Sequence, residues 1–115
     1  MDLDGKISLV TGAGQGIGEG IAKVLAAHGS KVMLVDLNGD AAKKVSDQIN
    51  FNIPDATVSF QADLTDEVSI SAMIEFTHEK FNRLDCICNN AAASKGIGAV
   101  ENYALEDVQA TLDLT

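Results

Sequence analysis

Thr11-Gly12-Ala13-Gly14-Gln15-Gly16-Ile17-Gly18 is the stretch that determines the fold, because it is rich in glycine and directly follows an apolar run. Glycine lets the backbone approach a ligand closely. A helix that begins at such a turn presents unpaired N–H groups and the positive end of its dipole, which together bind anions such as phosphate. The stretch therefore predicts a phosphate-binding loop between a strand and a helix. The simpler alternative is a glycine-rich turn without a ligand.

Strand and helix patterns alternate along the rest of the chain. The first, second and fourth strand patterns are almost continuously apolar, which is typical of strands covered on both faces in a parallel sheet. Such alternation predicts right-handed crossovers and an α/β fold: a Rossmann-type doubly wound parallel sheet of order 3-2-1-4 between two helical layers. The predicted strands are Lys6–Thr11, Lys31–Asp36, Thr57–Gln61 and Leu84–Asn89, and the predicted helices are Gly16–His28, Asp40–Gln48, Asp66–Phe81 and a last one from Leu105 to Thr115.

Two of the helices show an apolar stripe with the helical period, which predicts the face that packs on the sheet. We expect Thr65 to be the N-cap of the third helix, because a threonine hydroxyl accepts a hydrogen bond from the first turn. The predicted buried stripe of the first helix is Ile17, Ile21, Val24, Leu25 and His28, and that of the third is Ile70, Met73, Ile74, Thr77 and Phe81.

Composition and charge narrow the function classes. The chain has 115 residues, 46% of them hydrophobic and 22% charged, which predicts one globular domain over residues 1–115. Its net charge of -9 disfavours partners such as nucleic acids and anionic membrane surfaces. We expect no membrane span and no secretory signal, because no apolar run is long enough and no basic segment opens the chain.

The two cysteines, Cys86 and Cys88, are too close in sequence for an ordinary structural disulfide. Two thiols without other cysteines or a nearby histidine make a poor metal site, so we predict small buried residues and no metal. Unpaired thiols suit a reducing compartment, which predicts a cytoplasmic location.

The spacing of the glycines distinguishes between nucleotide-binding families. The general fingerprint G-x-G-x-x-G is not met, because its third glycine would fall on Ile17 or on Glu19, and the P-loop lysine is absent. The pattern T-G-x-x-x-G-I-G resembles the nucleotide loop of the classical short-chain dehydrogenase/reductase (SDR) family. This resemblance implies that the loop binds a dinucleotide cofactor through Gly12, Gly14, Gln15, Gly16, Ile17 and Gly18.

Asp36 ends the second strand pattern, where a βαβ unit places an acid near the ribose hydroxyls of a bound adenosine. Its carboxylate would repel a 2′-phosphate. Ala13, Leu37 and Asn38 are uncharged, whereas NADP-preferring relatives usually carry Arg or Lys nearby. We therefore predict that Asp36 and Leu37 contact the cofactor and that NAD is preferred over NADP. The alternative is that Asp36 only starts a turn.

Two further segments extend the resemblance. It implies that Asp63, followed by Leu64, places its carboxylate on the exocyclic amine of adenine, although an acid at the start of a helix is an alternative interpretation. The segment Asn89-Asn90-Ala91-Ala92 resembles the Asn-Asn-Ala-Gly segment that backs the glycine loop and holds the central sheet together. Asn90, Ala91 and Ala92 therefore join the predicted cofactor site, and Ala92 stands where the family usually has glycine.

The resemblance also implies hydride transfer between NAD(H) and an alcohol or ketone. The family uses a tyrosine as general acid/base, a lysine four residues later, a serine and an asparagine. The single tyrosine, Tyr103, is followed four residues later by Asp107, an anion that would raise the phenol pKa in the wrong direction. Asp113 stands at the asparagine position. We therefore predict no catalytic residue here and interpret the chain as the N-terminal half of a family member.

Three hypotheses follow. The first is the cofactor-binding part of an NAD-dependent SDR oxidoreductase, whose substrate the sequence leaves open. The second is a non-catalytic nucleotide-binding or interaction module, and the third, weaker one is a methyltransferase with an adenosine pocket. We also predict self-association as a homo-oligomer, through the apolar fourth strand or through the last two helices, because an unpaired strand edge invites pairing with another chain.

Overall fold

The computed structural model of the chain describes residues 2–90. The predicted helix from Leu105 and the predicted site residues Ala91 and Ala92 lie outside these residues. In chain order the elements are β1 (Ile7–Thr11), α1 (Gly16–Ala27), β2 (Lys31–Asp36), α2 (Gly39–Asn52), β3 (Thr57–Gln61), α3 (Glu67–Phe81) and β4 (Cys86–Cys88).

The four strands form one parallel sheet in the order β3-β2-β1-β4. Val10 of β1 pairs with Leu34 of β2 on one side and with Cys88 of β4 on the other. The carboxyl ends of the strands therefore meet at one edge of the sheet, which is the edge where open α/β sheets bind ligands. The predicted fold and strand order are confirmed.

Side chains that alternate along the central strands fill two cores, one on each face of the sheet. Leu9 and Met33 point to the face covered by α3, where they pack with Ile70 and Met73. The opposite core, against α1 and α2, contains Val10, Val32, Leu34, Ala22, Ala26, Val45 and Ile49. Helices on both faces make the predicted three-layer arrangement.

The buried face of α1 differs from the predicted stripe. Its buried residues are Gly18, Ala22 and Ala26, whereas the side chains of Ile17 and Val24 are 74% and 58% exposed. Small residues at four-residue spacing allow the helix to lie close to the sheet. The helix therefore buries this face of small residues rather than the face that carries the larger apolar side chains. The predicted stripe is thus wrong for these two residues and also for His28. Of its other members, Ile21 and Leu25 pack at the margin of the core and His28 is the exposed C-cap.

The predicted face of α3 is confirmed, but its first residue is not. Ile70, Met73, Ile74 and Thr77 are buried, and Phe81 packs half-buried against the same core. The N-cap is Asp66, whose Oδ1 accepts a hydrogen bond from Val68 N at 3.1 Å. The predicted N-cap, Thr65, is wrong because both its hydroxyl and its amide donate instead to Asp63.

Other boundaries shift by a few residues. Helix α2 extends to Asn52, beyond the predicted Gln48, because Ile49 continues the buried face of Val45. Strand β4 is shorter than predicted, since Asp85 bonds with Ile7 through both its main chain and its side chain just before the strand. Within residues 2–90, no helix is long and apolar enough to cross a membrane.

Both cysteines lie on β4 and are free, with their Sγ atoms 3.8 Å apart. Cys88 is half-buried, and burial raises the pKa of its thiol to about 11, with a further contribution from Cys86. The prediction that both are buried is wrong for Cys86, which is exposed. The reason is its place on the last strand of the described sheet, where no other described element covers it.

Candidate cofactor-binding site

The glycine loop joins β1 to α1 at the carboxyl edge of the sheet. Gly12 and Gly16 have positive φ angles of 64° and 61°, a conformation that disfavours residues with a side chain. A Cβ at Gly18 would overlap the carbonyl oxygen of Gly12, so only glycine lets α1 begin directly against the loop. The strand, turn and helix that a phosphate-binding loop requires are therefore present.

The start of α1 is open to a ligand. Gln15 is the N-cap, and its side chain makes no capping hydrogen bond. The first amides of an α-helix have no partner within the helix, and the helix dipole gives this end a partial positive charge. The turn thus offers donors and a favourable potential to an anion.

A cavity of about 600 Å³ lies beside the loop. Among the described residues that line it there is no lysine or arginine. Ile17, which is exposed rather than buried in the core, forms part of its wall. The lining residues are Gly12, Gln15, Gly16, Ile17, Asp36, Leu37, Ala62, Leu64, Thr65 and Asn90.

Asp36, at the end of β2, is held by two backbone amides. Its Oδ2 accepts a hydrogen bond from Gly14 N at 2.8 Å, and its Oδ1 accepts one from Asn38 N at 2.9 Å. The bond from Asn38 N is the contact expected if Asp36 only starts a turn. The bond from Gly14 N fixes the carboxylate against the glycine loop. Each carboxylate oxygen can accept a second hydrogen bond. The group therefore retains acceptor capacity at the cavity wall.

Asp63, after β3, is arranged differently. Its Oδ1 accepts from the Thr65 hydroxyl at 2.6 Å and from Thr65 N at 2.9 Å. These two bonds, the hydroxyl bond first, hold the pKa of the Asp63 carboxyl below its usual value. Asp63 does not line the cavity, although its neighbours Ala62, Leu64 and Thr65 do. Its predicted contact with adenine stays a prediction.

Asn90 connects β4 to the loop, as predicted for this segment. Its backbone N–H donates to Thr11 Oγ1 at 2.8 Å, and its side-chain amide donates to the carbonyl oxygen of Gly12 at 3.5 Å. The Thr11 hydroxyl in turn donates to the carbonyl oxygen of Cys88 at 3.4 Å. The predicted structural role of the asparagine segment is thus confirmed for Asn90.

The structure brings most of the predicted cofactor residues to one cavity. Gly14 and Gly18 support the site from behind, through Asp36 and Gly12 respectively. Ala62 and Thr65 also line the cavity, although the sequence did not predict them there. The sequence also did not predict that the Thr11 hydroxyl connects Asn90 with Cys88. Only the threonine at the start of the glycine motif carried a signal. The predicted residues that line the cavity are Gly12, Gln15, Gly16, Ile17, Asp36, Leu37, Leu64 and Asn90.

Comparison with known proteins identifies the family of the chain. The chain matches the short chain dehydrogenase family over residues 6–115. It belongs to this family. It is 34% identical over 110 residues to short-chain dehydrogenase reductase 5 of Arabidopsis thaliana, covering 96% of this chain and 41% of that protein. It is also 34% identical over 110 residues to the D-threitol dehydrogenase of Mycolicibacterium smegmatis, covering 96% and 42%.

Solved structures of family members superimpose on the chain. The 3-ketoacyl-(acyl-carrier-protein) reductase of Brucella melitensis, complexed with NADH, gives a TM-score of 0.69 at 39% identity over 74% of this chain and 34% of that one. A metagenomic short-chain oxidoreductase in complex with NADP gives 0.75 at 29% identity over 81% and 42%. This short-chain dehydrogenase chain spans about two fifths of the length of the two curated relatives.

Proposed function

We propose that the chain is the cofactor-binding part of an NAD-dependent oxidoreductase. The reaction would transfer hydride between NAD(H) and an alcohol or ketone, the nicotinamide supplying or accepting the hydride. The observation that carries the proposal is the Asp36 carboxylate, fixed by Gly14 N–H at the wall of a cavity that the glycine loop also lines. Residues 1–115 form, in this proposal, one dinucleotide-binding domain.

The pyrophosphate of the cofactor would lie at the start of α1. Gly12, Gly16 and Ile17 line the cavity at this point, and the uncapped first turn provides N–H donors. The positive φ angles and the close approach of Gly18 to Gly12 support a cradle made of backbone rather than side chains. The partial positive charge at the start of α1 would attract the pyrophosphate locally, although the net charge of the chain is negative.

The adenosine would extend from the loop toward the ends of β2 and β3. Asp36 would accept hydrogen bonds from the ribose hydroxyls, and Leu37 and Leu64 would offer apolar surface to the adenine ring. Asp63 would reach the exocyclic amine with the oxygen that is not bonded to Thr65. Asn90 would close the side next to β4, and the proposed cofactor contacts of Ala91 and Ala92 lie outside the described residues.

The proposed preference for NAD over NADP rests on charge. A 2′-phosphate beside Asp36 would bring two anions together, and none of the described cavity residues is a cation that could compensate. One solved relative is complexed with NADH and the other with NADP, so family membership leaves the choice open. Asp36 is the residue on which the proposal depends.

Catalysis would require residues that this chain does not provide. Tyr103 has Asp107 four residues later instead of lysine, and the resemblance implies that Asp113 stands at the asparagine position. We expect no turnover of any alcohol or ketone by the 115-residue chain. Measurable ketone reduction by this chain would contradict that expectation. A genuine stop after codon 115 would favour the alternative of a non-catalytic module, whereas a downstream Ser and Tyr-x-x-x-Lys would favour the enzyme.

We also propose self-association through β4 and a cytoplasmic location. β4 is the last of the strands that the structure describes, and an exposed strand edge pairs readily with another chain. The two free thiols support a reducing compartment. Light scattering tests the first proposal, since a monomer at all concentrations would contradict it.

A titration tests the proposed ligand directly. NADH, NADPH and S-adenosylmethionine are each titrated into the chain, and binding is followed by calorimetry for all three and by nucleotide fluorescence for NADH and NADPH. We expect NADH to bind with the highest affinity and S-adenosylmethionine not to bind. Binding of S-adenosylmethionine alone would favour a methyltransferase, and equal affinity for NADH and NADPH would remove the role assigned to Asp36.

A further inference from the structure

Gly14 belongs to the glycine loop but does not line the cavity. It is not among the glycines with a positive φ angle, so its backbone conformation does not explain why glycine stands there. Space does explain it. A Cβ at this position would lie 2.8 Å from Asp36 Oδ2, 3.2 Å from Asp36 Cγ and 2.8 Å from the Cβ of Ala41.

We propose that Gly14 is a positioning residue for cofactor specificity: it holds the Asp36 carboxylate in the orientation that accepts an unmodified ribose and disfavours a 2′-phosphate. This inference rests on the proposed function. It assigns to Gly14 a role different from phosphate binding, because its N–H is directed to a side chain of the neighbouring strand end.

The two amide bonds to Asp36 give the orientation its physical basis. The carboxylate is attached by a terminal torsion with a broad energy profile, so its rotation is weakly restricted by the side chain itself. Gly14 N–H on Oδ2 and Asn38 N–H on Oδ1 restrict it from both sides. Each oxygen keeps capacity for one more donor, which matches the two neighbouring hydroxyls of a ribose.

A fixed carboxylate discriminates better than a mobile one. Binding of the ribose then does not have to order the side chain, which favours NAD. A carboxylate that cannot rotate away also keeps its full repulsion toward a 2′-phosphate. Loss of the Gly14 contact should therefore weaken the binding of NADH much more than that of NADPH.

The two contacts of a new Cβ can be separated by mutation. Ala41 lies in the first turn of α2, and its methyl group cannot rotate away, whereas the Asp36 carboxylate can. Gly14→Ala combined with Ala41→Gly removes the contact between the two methyl groups and leaves the contact with Asp36. The matched controls are Ala41→Gly alone and Gly20→Ala, because a Cβ at Gly20 has no heavy atom within 4 Å.

The experiment measures the dissociation constants of NADH and NADPH for the 115-residue chain and these variants, with thermal unfolding to verify that each is folded. We expect the double variant to bind NADH about tenfold more weakly than Ala41→Gly, with NADPH changed by less than about twofold. Gly20→Ala should keep the wild-type ratio of the two constants. A folded double variant with the ratio of Ala41→Gly would overturn the inference.

Asp36→Asn distinguishes this inference from the proposed function. If Asp36→Asn leaves the ratio of the NADH to the NADPH dissociation constant unchanged, the proposed preference for NAD is wrong, and the role of Gly14 is wrong with it. If Asp36→Asn raises the ratio of the NADH to the NADPH dissociation constant but the folded double variant does not, only the role of Gly14 is wrong.

A spectroscopic measurement covers the case in which the double variant does not fold. In the Asp36→Ala variant, the Gly14 amide should exchange with solvent faster than in the wild type and shift in the ¹H–¹⁵N spectrum, because its acceptor is gone. An unchanged Gly14 amide would overturn the inference.

Discussion

Two aspartates lie at the carboxyl ends of neighbouring parallel strands, yet the molecule uses them in different ways. Asp36, the last residue of β2, accepts from the glycine loop and lines the cavity. Asp63, after β3, accepts twice from Thr65 within its own turn and does not line the cavity. The same residue type near the carboxyl ends of two neighbouring strands thus acquires its role from the donors around it. A long-range donor directs Asp36 toward the ligand site, and local donors retain Asp63 in a turn.

The largest effect is expected from a substitution in the glycine loop, which holds Asp36 through the Gly14 amide. Gly18→Ala places a Cβ on the carbonyl oxygen of Gly12, a backbone atom that cannot move aside cheaply. We expect a loss of about 3 kcal/mol in the free energy of unfolding and loss of NADH binding. Urea unfolding and NADH titration measure the two effects.

Gly20→Ala is the control for that substitution, because it adds the same methyl group to the same helix in open space. It should be neutral or slightly stabilising, since alanine favours a helix more than glycine does. Equal stabilities of the two variants would show that α1 does not lie against the loop as described.

Removal of the Asp36 carboxylate has the next largest effect. Asp36→Ala should weaken NADH binding by about 2 kcal/mol, or about thirtyfold, because hydrogen bonds to a charged group are lost. NADPH binding should change little, since a repulsion disappears together with the attraction. Asp63→Ala, measured in parallel, should weaken NADH binding by less than about threefold. A similar loss in both variants would remove the difference between the two aspartates.

Thr11 tests the connection between the loop and β4. Thr11→Val keeps the shape of the side chain but removes the hydroxyl that accepts from Asn90 N and donates to Cys88 O. We expect the free energy of unfolding to fall by about 1 kcal/mol, mainly because the Asn90 amide loses its acceptor. Chemical denaturation measures the loss. Thr11→Ser, which retains the hydroxyl, should lose less, and the reverse order would contradict the bridging role.

The smallest effect is a pH dependence at Asp63. Its pKa is lower in the folded chain, through hydrogen bonds with Thr65, than in the unfolded chain. The stabilisation by the ionised group is therefore complete above the unfolded pKa of about 4 and disappears as the pH falls through the lower folded pKa. Asp63→Asn should be slightly less stable than the wild type at pH 7, and the difference should shrink below about pH 4. Denaturation at several pH values measures it, and a difference that grows on acidification would contradict the sign.

Much of the fold could be predicted from the sequence because its signals are local or periodic. Continuous apolar runs such as Lys31–Asp36 indicate buried parallel strands, and the glycine spacing indicates the loop. The face of α1 could not be predicted by hydrophobicity, because Gly18, Ala22 and Ala26 pack closely without a strong apolar signal. Their spacing is the only trace that they leave in the sequence.

The candidate site could be predicted in outline for a similar reason. Asp36 could be placed by its position after a strand, but its contact with Gly14 depends on how the loop and β2 come together in space. The contact of Asp63 with Thr65 joins residues only two positions apart, so a local role for Asp63 at the start of a helix could be considered from the sequence. Which aspartate faces the cavity could be established only from the assembled sheet.

The most direct test of the central claim is a crystal structure of the chain with ADP-ribose, the part of NAD that the described cavity is proposed to hold. We expect both adenosine ribose hydroxyls within about 3 Å of the Asp36 oxygens and the pyrophosphate at the first turn of α1. A ligand bound elsewhere, or a ribose directed away from Asp36, would contradict it.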